Sequence, residues 1–253
     1  MNYIPDHSID TIICDLPYGT TACKWDIIIP FDKLWMHYER LIKPKGAIVL
    51  FGNEPFSSHL RISKLNWFRY DMVWNKRKPS NFQLMNFQPG RIHEYVHIFS
   101  DSPAVYCNGK NMNYYPIKES ITPYIRPRSN YGSKNSTLRP GHTIKELGPT
   151  LRTEKNKHFS ILDFTNANIK AKIHPTEKPV ALLECLVETY SKQGDLILDN
   201  CAGSGSTLIA AKNLGRQFIG IEKEQEYYNA ALNRLNVTPP INKSQLDQWI
   251  THN

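Results

Sequence analysis

The stretch that most limits what this chain can become is Asp199-Asn200-Cys201-Ala202-Gly203-Ser204-Gly205-Ser206-Thr207. It follows an apolar run, Asp195-Leu196-Ile197-Leu198, and precedes a helical pattern from Leu208 to Leu214. The order is strand, glycine turn, helix. Gly203 and Gly205 let the backbone approach a ligand closely, and the helix behind them offers free N–H groups at its first turn. About twenty residues on, Phe218-Ile219-Gly220-Ile221 reads as a second strand ending in Glu222, an acid placed to accept hydrogen bonds from ribose hydroxyls. The C-terminal part therefore reads as a nucleoside-binding β-α-β unit. A tight turn in some other α/β protein remains the alternative while this turn stands alone.

At 253 residues the chain can bury a full core, as one large α/β domain or one domain plus an insertion. No apolar run approaches the roughly 20 residues needed to span a bilayer. The opening Met1-Asn2-Tyr3-Ile4-Pro5-Asp6 lacks the basic and apolar regions of a signal peptide. Five cysteines, odd in number and without Cys-x-x-Cys or Cys/His ligand spacing, point to a reduced, cytoplasmic setting without structural zinc. The net charge of +8 is unevenly placed: residues 76–172 carry 16 basic and 6 acidic side chains, while the flanking parts are close to balance. A basic surface attracts phosphate backbones; a solvated lysine-rich face is the alternative.

Along the chain, Asp10-Thr11-Ile12-Ile13-Cys14-Asp15 reads as a short buried strand with an acid at its carboxyl end, the edge where ligands gather in parallel sheets. Leu16-Pro17-Tyr18-Gly19 turns sharply, and Thr20 to Pro30 is a loop. Phe31 to Lys43 has helical spacing and stops at Lys43-Pro44-Lys45-Gly46. A strand at 47–51, a helix at 56–65 and strands at 70–74 and 95–99 follow. Between the last two lie Lys76, Arg77 and Lys78, a basic cluster able to meet phosphates. From about 101 to 172 the periodicity fades into Pro, Asn, Ser, Tyr, Lys and Arg, as in Tyr124-Ile125-Arg126-Pro127-Arg128. So long an irregular stretch is usually functional or disordered, and basic residues interleaved with tyrosines suit phosphate contacts and base stacking. Order returns at His174-Pro175-Thr176-Glu177-Lys178-Pro179, followed by a helix at 180–192, the glycine turn, the Glu222 strand and a helix at 224–235. The reading is a Rossmann-like, doubly wound, mostly parallel α/β sheet with an inserted basic target-recognition region. Its parts are a catalytic half (1–100), the insertion (101–172), a cofactor-binding half (173–236) and a polar tail (237–253).

Asp15-Leu16-Pro17-Tyr18 resembles the Asp-Pro-Pro-Tyr tetrapeptide of the amino-group DNA methyltransferases. It stands ahead of the Asp199–Thr207 turn, as in their beta class. Ile4-Pro5-Asp6 with Ser8-Ile9-Asp10, then Ile42 to Ile48, His93-Glu94-Tyr95 and His174 to Pro179 are similar to further segments of that family in the same order. The resemblance covers most of the chain outside roughly 105–160.

The resemblance implies that S-adenosylmethionine is the cofactor, that double-stranded DNA is the substrate, and that no metal is required. It implies methylation of the N6 amine of adenine in a flipped-out nucleotide, within a restriction-modification or phage system. Cytosine N4, or a DNA-binding relative that has lost catalysis, are alternatives. A homodimer and a cognate restriction endonuclease fit the same picture. An exocyclic amine is a poor nucleophile, because its lone pair is delocalised into the ring. Hydrogen bonds from its N–H groups to the Asp15 carboxylate and the Leu16 carbonyl free that lone pair, while Tyr18 stacks on the base beside Pro17. The base must leave the duplex to reach them. For the cofactor the matching positions are Asp15, His174, Lys178, Asp199, Cys201, Gly203, Ser204, Gly205, Ser206 and Glu222, with Cys201 read as packing. Arg126 and Arg128 join Lys76, Arg77 and Lys78 as DNA contacts. Two departures stand out. Position 16 is Leu where the family has Pro. The family's leading strand, ending in a Gly-Asp pair whose acid helps hold the cofactor adenine, precedes the point where this sequence starts.

Overall fold

The structure, a computed structural model, describes residues 1–21, 23, 26–105, 107–126, 150–156, 160–165 and 177–236. The chain forms β1 (Ile9–Cys14), α1 (Phe31–Leu41), β2 (Ile42–Gly52), α2 (Phe56–Ser63), β3 (Phe68–Asn75), β4 (His93–Phe99), β5 (Lys118–Arg126), β6 (Thr150–Asn156), β7 (Ile161–Asp163), α3 (Val180–Tyr190), β8 (Leu196–Asp199), α4 (Ser206–Asn213), β9 (Gln217–Gly220) and α5 (Gln225–Leu235). Two compact units result, Met1–Tyr115 with Ser160–Asn253, and Pro116–Phe159.

The first unit carries a seven-stranded sheet in the order β7-β3-β4-β2-β1-β8-β9. β1 pairs in parallel with β2 and with β8, and β8 with β9. β4 is antiparallel to both β2 and β3, so β3 runs the same way as β1. The mostly parallel α/β sheet is therefore as expected, with β4 reversed. β1 is an interior strand buried on both faces, which is why its sequence is a nearly continuous apolar run instead of an alternating one. On one face Leu34, Tyr38 and Leu60 of α1 and α2 join Ile12, Cys14 and Leu50 in one core cluster. Residues of the other parity, such as Thr11 and Ile13, are buried towards α3, and the Thr11 hydroxyl donates to the Tyr190 carbonyl at 2.9 Å.

One connection sets up the site. From β1 the chain adds β2 beside it, steps out to β3, fills the gap with β4 and sets β7 at the edge, then returns to lay β8 on the other flank of β1. The strand order reverses there, and the crevice outside the carboxyl ends of β1 and β8 is where open α/β sheets bind ligands.

The middle of the chain is more ordered than its composition suggests. Residues 118–126 and 150–156 pair as an antiparallel hairpin with Lys155–Glu119 and Lys118–Glu154 ion pairs at 3.0 and 3.3 Å. Ile161–Asp163 adds an edge strand to β3. The second unit is thus narrower than the expected 101–172, because Asp101–Tyr115 and the β7 segment belong with the main sheet. Periodicity missed these strands because the hairpin is largely exposed and carries little apolar alternation, while β7, with Leu162 alone buried, is too short to show a period.

Candidate active site

Asp15 follows directly on β1, and Asp199 closes β8, so parallel pairing of these strands brings the two acids to one edge. A cavity of about 860 Å³ lies there. Asp15, Leu16, Pro17, Tyr18, Lys178, Asp199, Cys201, Gly203, Ser204, Ser206 and Glu222 all line it. Gly205, one residue behind, serves the turn instead: its φ of 80° is left-handed, and an added Cβ would come within 3.0 Å of the Ala231 Cβ. His174 and Arg128 lie outside the described residues, as does the Arg126 side chain.

At the end of β1 both oxygens of Asp15 are engaged. The Tyr18 hydroxyl donates to Oδ1 at 2.6 Å, and Lys178 Nζ sits 2.8 Å from Oδ2. Burial raises the Asp15 carboxyl above its usual pKa, against the pull of Lys178. Lys178 is nearly buried and reaches a second acid, Glu94 Oε2, at 3.0 Å. Burial would lower the lysine, but the charges of Asp15 and Glu94 outweigh it and hold it above its ordinary value. Glu94 in turn accepts from Lys76 Nζ at 3.0 Å. Burial pushes Glu94 up, and the two ammonium groups more than reverse this. The result is an alternating chain, Asp15–Lys178–Glu94–Lys76, walled by Phe51 and Trp74, whose rings lie 5.1 and 5.8 Å from Lys178 Nζ.

That chain corrects one expectation. Lys76 is not on a DNA-facing surface. It is 1% exposed and donates to Glu94 and, at 2.9 Å, to Ser80 Oγ. A carboxylate buried within β4 needs a cation, and Lys76 supplies it. Arg77 and Lys78 are exposed, with the Arg77 Nε donating to Asp163 Oδ1 at 2.7 Å. Glu94, Phe51 and Trp74 are residues of the site that sequence reasoning gave no role. The signal for Glu94 was there, a charged residue opening an apolar strand.

Beyond β8 and β9 the Glu222 carboxylate accepts from the Gly203 N–H at 2.7 Å and the Glu224 N–H at 2.8 Å, tying the glycine turn to the turn after β9. Each oxygen keeps a second lone pair for a ligand. The Ser204 and Ser206 hydroxyls are turned to protein partners: both donate to Glu177, at 3.1 and 3.3 Å, and both receive Arg234, at 2.9 and 3.2 Å. Glu177 and Lys178, adjacent in sequence, therefore link the glycine turn to Asp15. Cys201 packs against the core cluster, and its N–H donates to Asp199 Oδ1 at 3.1 Å. Burial pushes Asp199 up to about 6, despite bonds from Thr207, the Cys201 N–H and Cys14. Leu16 is buried in the core cluster, so the Leu-for-Pro departure is absorbed by packing.

The family comparison decides what this edge belongs to: the model of the N6_N4_Mtase DNA methylases matches residues 9–233. The chain belongs to that family. It is an S-adenosylmethionine-dependent DNA methyltransferase. The type II methyltransferase M1.MboII of Moraxella bovis is 27% identical over 256 residues, covering 94% of each chain. Among solved structures, the M1.HpyAVI–SAM complex aligns over 91% of this chain and 90% of its own, with 23% identity and a TM-score of 0.57. The cytosine-N4-specific PvuII DNA methyltransferase aligns over 99% and 87%, with 15% identity and a TM-score of 0.62. At these identities the structural likenesses speak to the fold.

The residues present fit the cofactor. In the cavity lining, acidic side chains outnumber basic ones seven to four, which suits a ligand carrying sulfonium and ammonium charges. Its nucleoside end would meet Glu222 and the glycine turn.

Proposed function

We propose that this methyltransferase modifies the N6 amine of adenine at a specific DNA site, as the modification half of a restriction system. The observation that carries the reading is the Asp15 carboxylate, held at the head of the cavity beside the glycine turn by Tyr18 and Lys178. An Asp at the opening of this tetrapeptide favours adenine over cytosine N4, and the M1.MboII relative is a type II methyltransferase.

The cofactor, when bound, supplies an electrophilic methyl group. The protein's part is to position and desolvate the amine. Asp15 accepts from one amine N–H through a lone pair not used by Tyr18 or Lys178, and the Leu16 carbonyl accepts from the other. Lys178, 2.8 Å from Asp15 Oδ2, opposes the rise that burial gives the Asp15 carboxyl. Tyr18, Phe51 and Trp74 provide aromatic walls for a base taken out of the stack, a movement the reaction requires because the amine is otherwise out of reach. Much of the rate gain then comes from holding amine and methyl in line. The basic residues Arg77, Lys78, Arg126 and Arg128 would meet phosphates.

The test is mass spectrometry of nucleosides from cells that lack other amino-group methylation and express this chain. N6-methyladenine is expected. N4-methylcytosine would overturn the choice of base. Asp15→Ala should lower methylation by roughly 10²–10³-fold, the loss typical of one preorganised electrostatic group, with DNA binding retained.

A further inference from the structure

We infer that the loop between β3 and β4, residues 76–92, is a wedge that enters the DNA duplex beside the flipped nucleotide and fills the gap it leaves, with Phe82 and Phe87 as the inserting side chains. The inference rests on the DNA methyltransferase reading and adds to it the element that holds the duplex open.

The first observation is position. β3 runs parallel to β1, so its carboxyl end opens on the same edge as Asp15, and Lys76, Ser80, Asn81 and Arg91 of the loop line the same cavity. A nucleotide entering that cavity leaves its former stack next to this loop.

The second is exposure. Phe87 is 87% and Phe82 67% exposed, with Leu84 and Met85 exposed between them. Isolated exposed apolar residues are ordinary, but a run of four on one loop beside a ligand cavity marks a contact surface.

The third is that the loop is built to hold this shape. The Asn81 carboxamide bridges its two ends, accepting from the Arg91 N–H at 2.5 Å and donating to the Pro89 carbonyl at 3.2 Å. The Ser80 N–H donates to the Arg91 carbonyl at 3.0 Å. Phe82–Leu84 forms a single 3₁₀ turn, and the Phe87 and Gln88 N–H groups return to the Leu84 carbonyl at 2.9 and 3.0 Å. Gly90 lets Pro79 and Met85 close over the base of the loop, where a Cβ would meet them at 3.1–3.2 Å. The phenylalanines are thus held outward on a constrained tip.

The fourth is charge, which selects DNA over a protein partner. Residues 76–92 contain four basic side chains and no acidic one; Lys76 is buried against Glu94, and Arg77, Lys78 and Arg91 are exposed or half-exposed. Arg77 and Lys78, exposed at its foot, are placed for phosphates, while the tip is apolar and aromatic. Basic flanks around an aromatic tip match a phosphate backbone around an unstacked step, where apolar side chains insert and bases stack on aromatic rings.

The test compares two oligonucleotide duplexes carrying the site mapped from cellular DNA: one fully paired, the other with an abasic position opposite the target base. Stacking on an aromatic side chain is worth about 1–3 kcal/mol per base, and each 1.36 kcal/mol is tenfold in rate. The double variant Phe82→Ala/Phe87→Ala should therefore lose roughly 10- to 100-fold in kcat/KM on the paired duplex. On the abasic duplex, where no partner base holds the target in the stack, the loss should fall below about threefold. S-adenosylmethionine affinity, measured by calorimetry, reports folding and should be unchanged. Equal losses on both duplexes would make the loop a general DNA contact and overturn the wedge. So would no loss on either, or a change in oligomeric state alone, which would assign the loop to a contact between copies. A wild-type protein inert on both duplexes would overturn the methyltransferase reading itself.

Discussion

Two acids in the turn after β9 differ in what their carboxylates do. Both line the cavity, but Glu222 accepts two backbone N–H groups that fix it beside the glycine turn, whereas Glu224 stands at the entry to α5, where an acid mainly favours the helix dipole, at roughly 0.3–1 kcal/mol. A bond from a ribose hydroxyl to a charged acceptor is worth about 1.5–3 kcal/mol. Glu222→Ala should therefore weaken S-adenosylmethionine binding roughly ten- to hundred-fold, and Glu224→Ala much less, by titration calorimetry. Equal losses would misplace the nucleoside end. Asp199 makes a pH prediction. Its carboxyl, pushed up to about 6 by burial, is raised above its unfolded value, so its contribution to stability is complete below about pH 4 and lost as pH rises through 6. A cationic ligand favours the ionised form, so cofactor affinity should rise between about pH 5 and 7, with protons released on binding near pH 6. In Asp199→Asn that rise should vanish, and the variant should gain stability over wild type at about pH 8 more than at about pH 4, read from urea midpoints. A flat affinity profile in the wild type would show that Asp199 does not face the cationic part of the ligand.

At the scale of elements, the turn between β8 and α4 depends on glycine for two separate reasons at one position. Gly205 has a left-handed φ of 80°, and α5 approaches it so closely that Ala231 Cβ lies 3.0 Å from where a side chain would begin. An L-residue in that conformation costs about 1–2 kcal/mol before any displacement of α5. Gly205→Ala should lower the unfolding free energy by about 1–3 kcal/mol. It should also weaken cofactor binding, because Arg234 of α5 fixes Ser204 and Ser206 in the same turn. Unchanged urea midpoints would mean that the turn relaxes freely. A lost cap or a surface change elsewhere on α4 would move stability without moving affinity.

At the scale of the molecule, charge and chemistry are separated. The cavity lining is acid-rich, while the 97 residues from 76 to 172 carry 16 basic and 6 acidic side chains. Such a division suits a cationic cofactor in the crevice and a polyanion outside it. The arginines at 126 and 128 belong to the inserted unit, whose hairpin has its own cross-strand ion pairs. Replacing both with Gln should weaken DNA binding and make its salt dependence shallower, by about 0.9 in the log–log slope for each phosphate no longer neutralised. An unchanged slope would remove them from the phosphate interface. Among the described residues no helix is long and apolar enough to cross a membrane.

The parts of this protein that could be read along the chain are those that local chemistry encodes. The apolar run of β1 with Asp15 at its end, the strand–glycine–helix unit around Gly203 and Gly205, and the acid after β9 were legible because strand burial, left-handed glycines and helix starts depend on neighbours in the chain. The rest waited on folding in three dimensions. Asp15 and Asp199 are 184 positions apart and meet because β8 returns to the flank of β1, a pairing that no local pattern specifies. The same folding buried Lys76, a residue that reads as a surface cation, because Glu94 on the neighbouring strand required a counter-charge and Lys178 arrived to complete the chain to Asp15. The hairpin of the insertion stayed hidden for a related reason: its strands are largely exposed and show no regular apolar alternation, and what orders them is pairing across the chain.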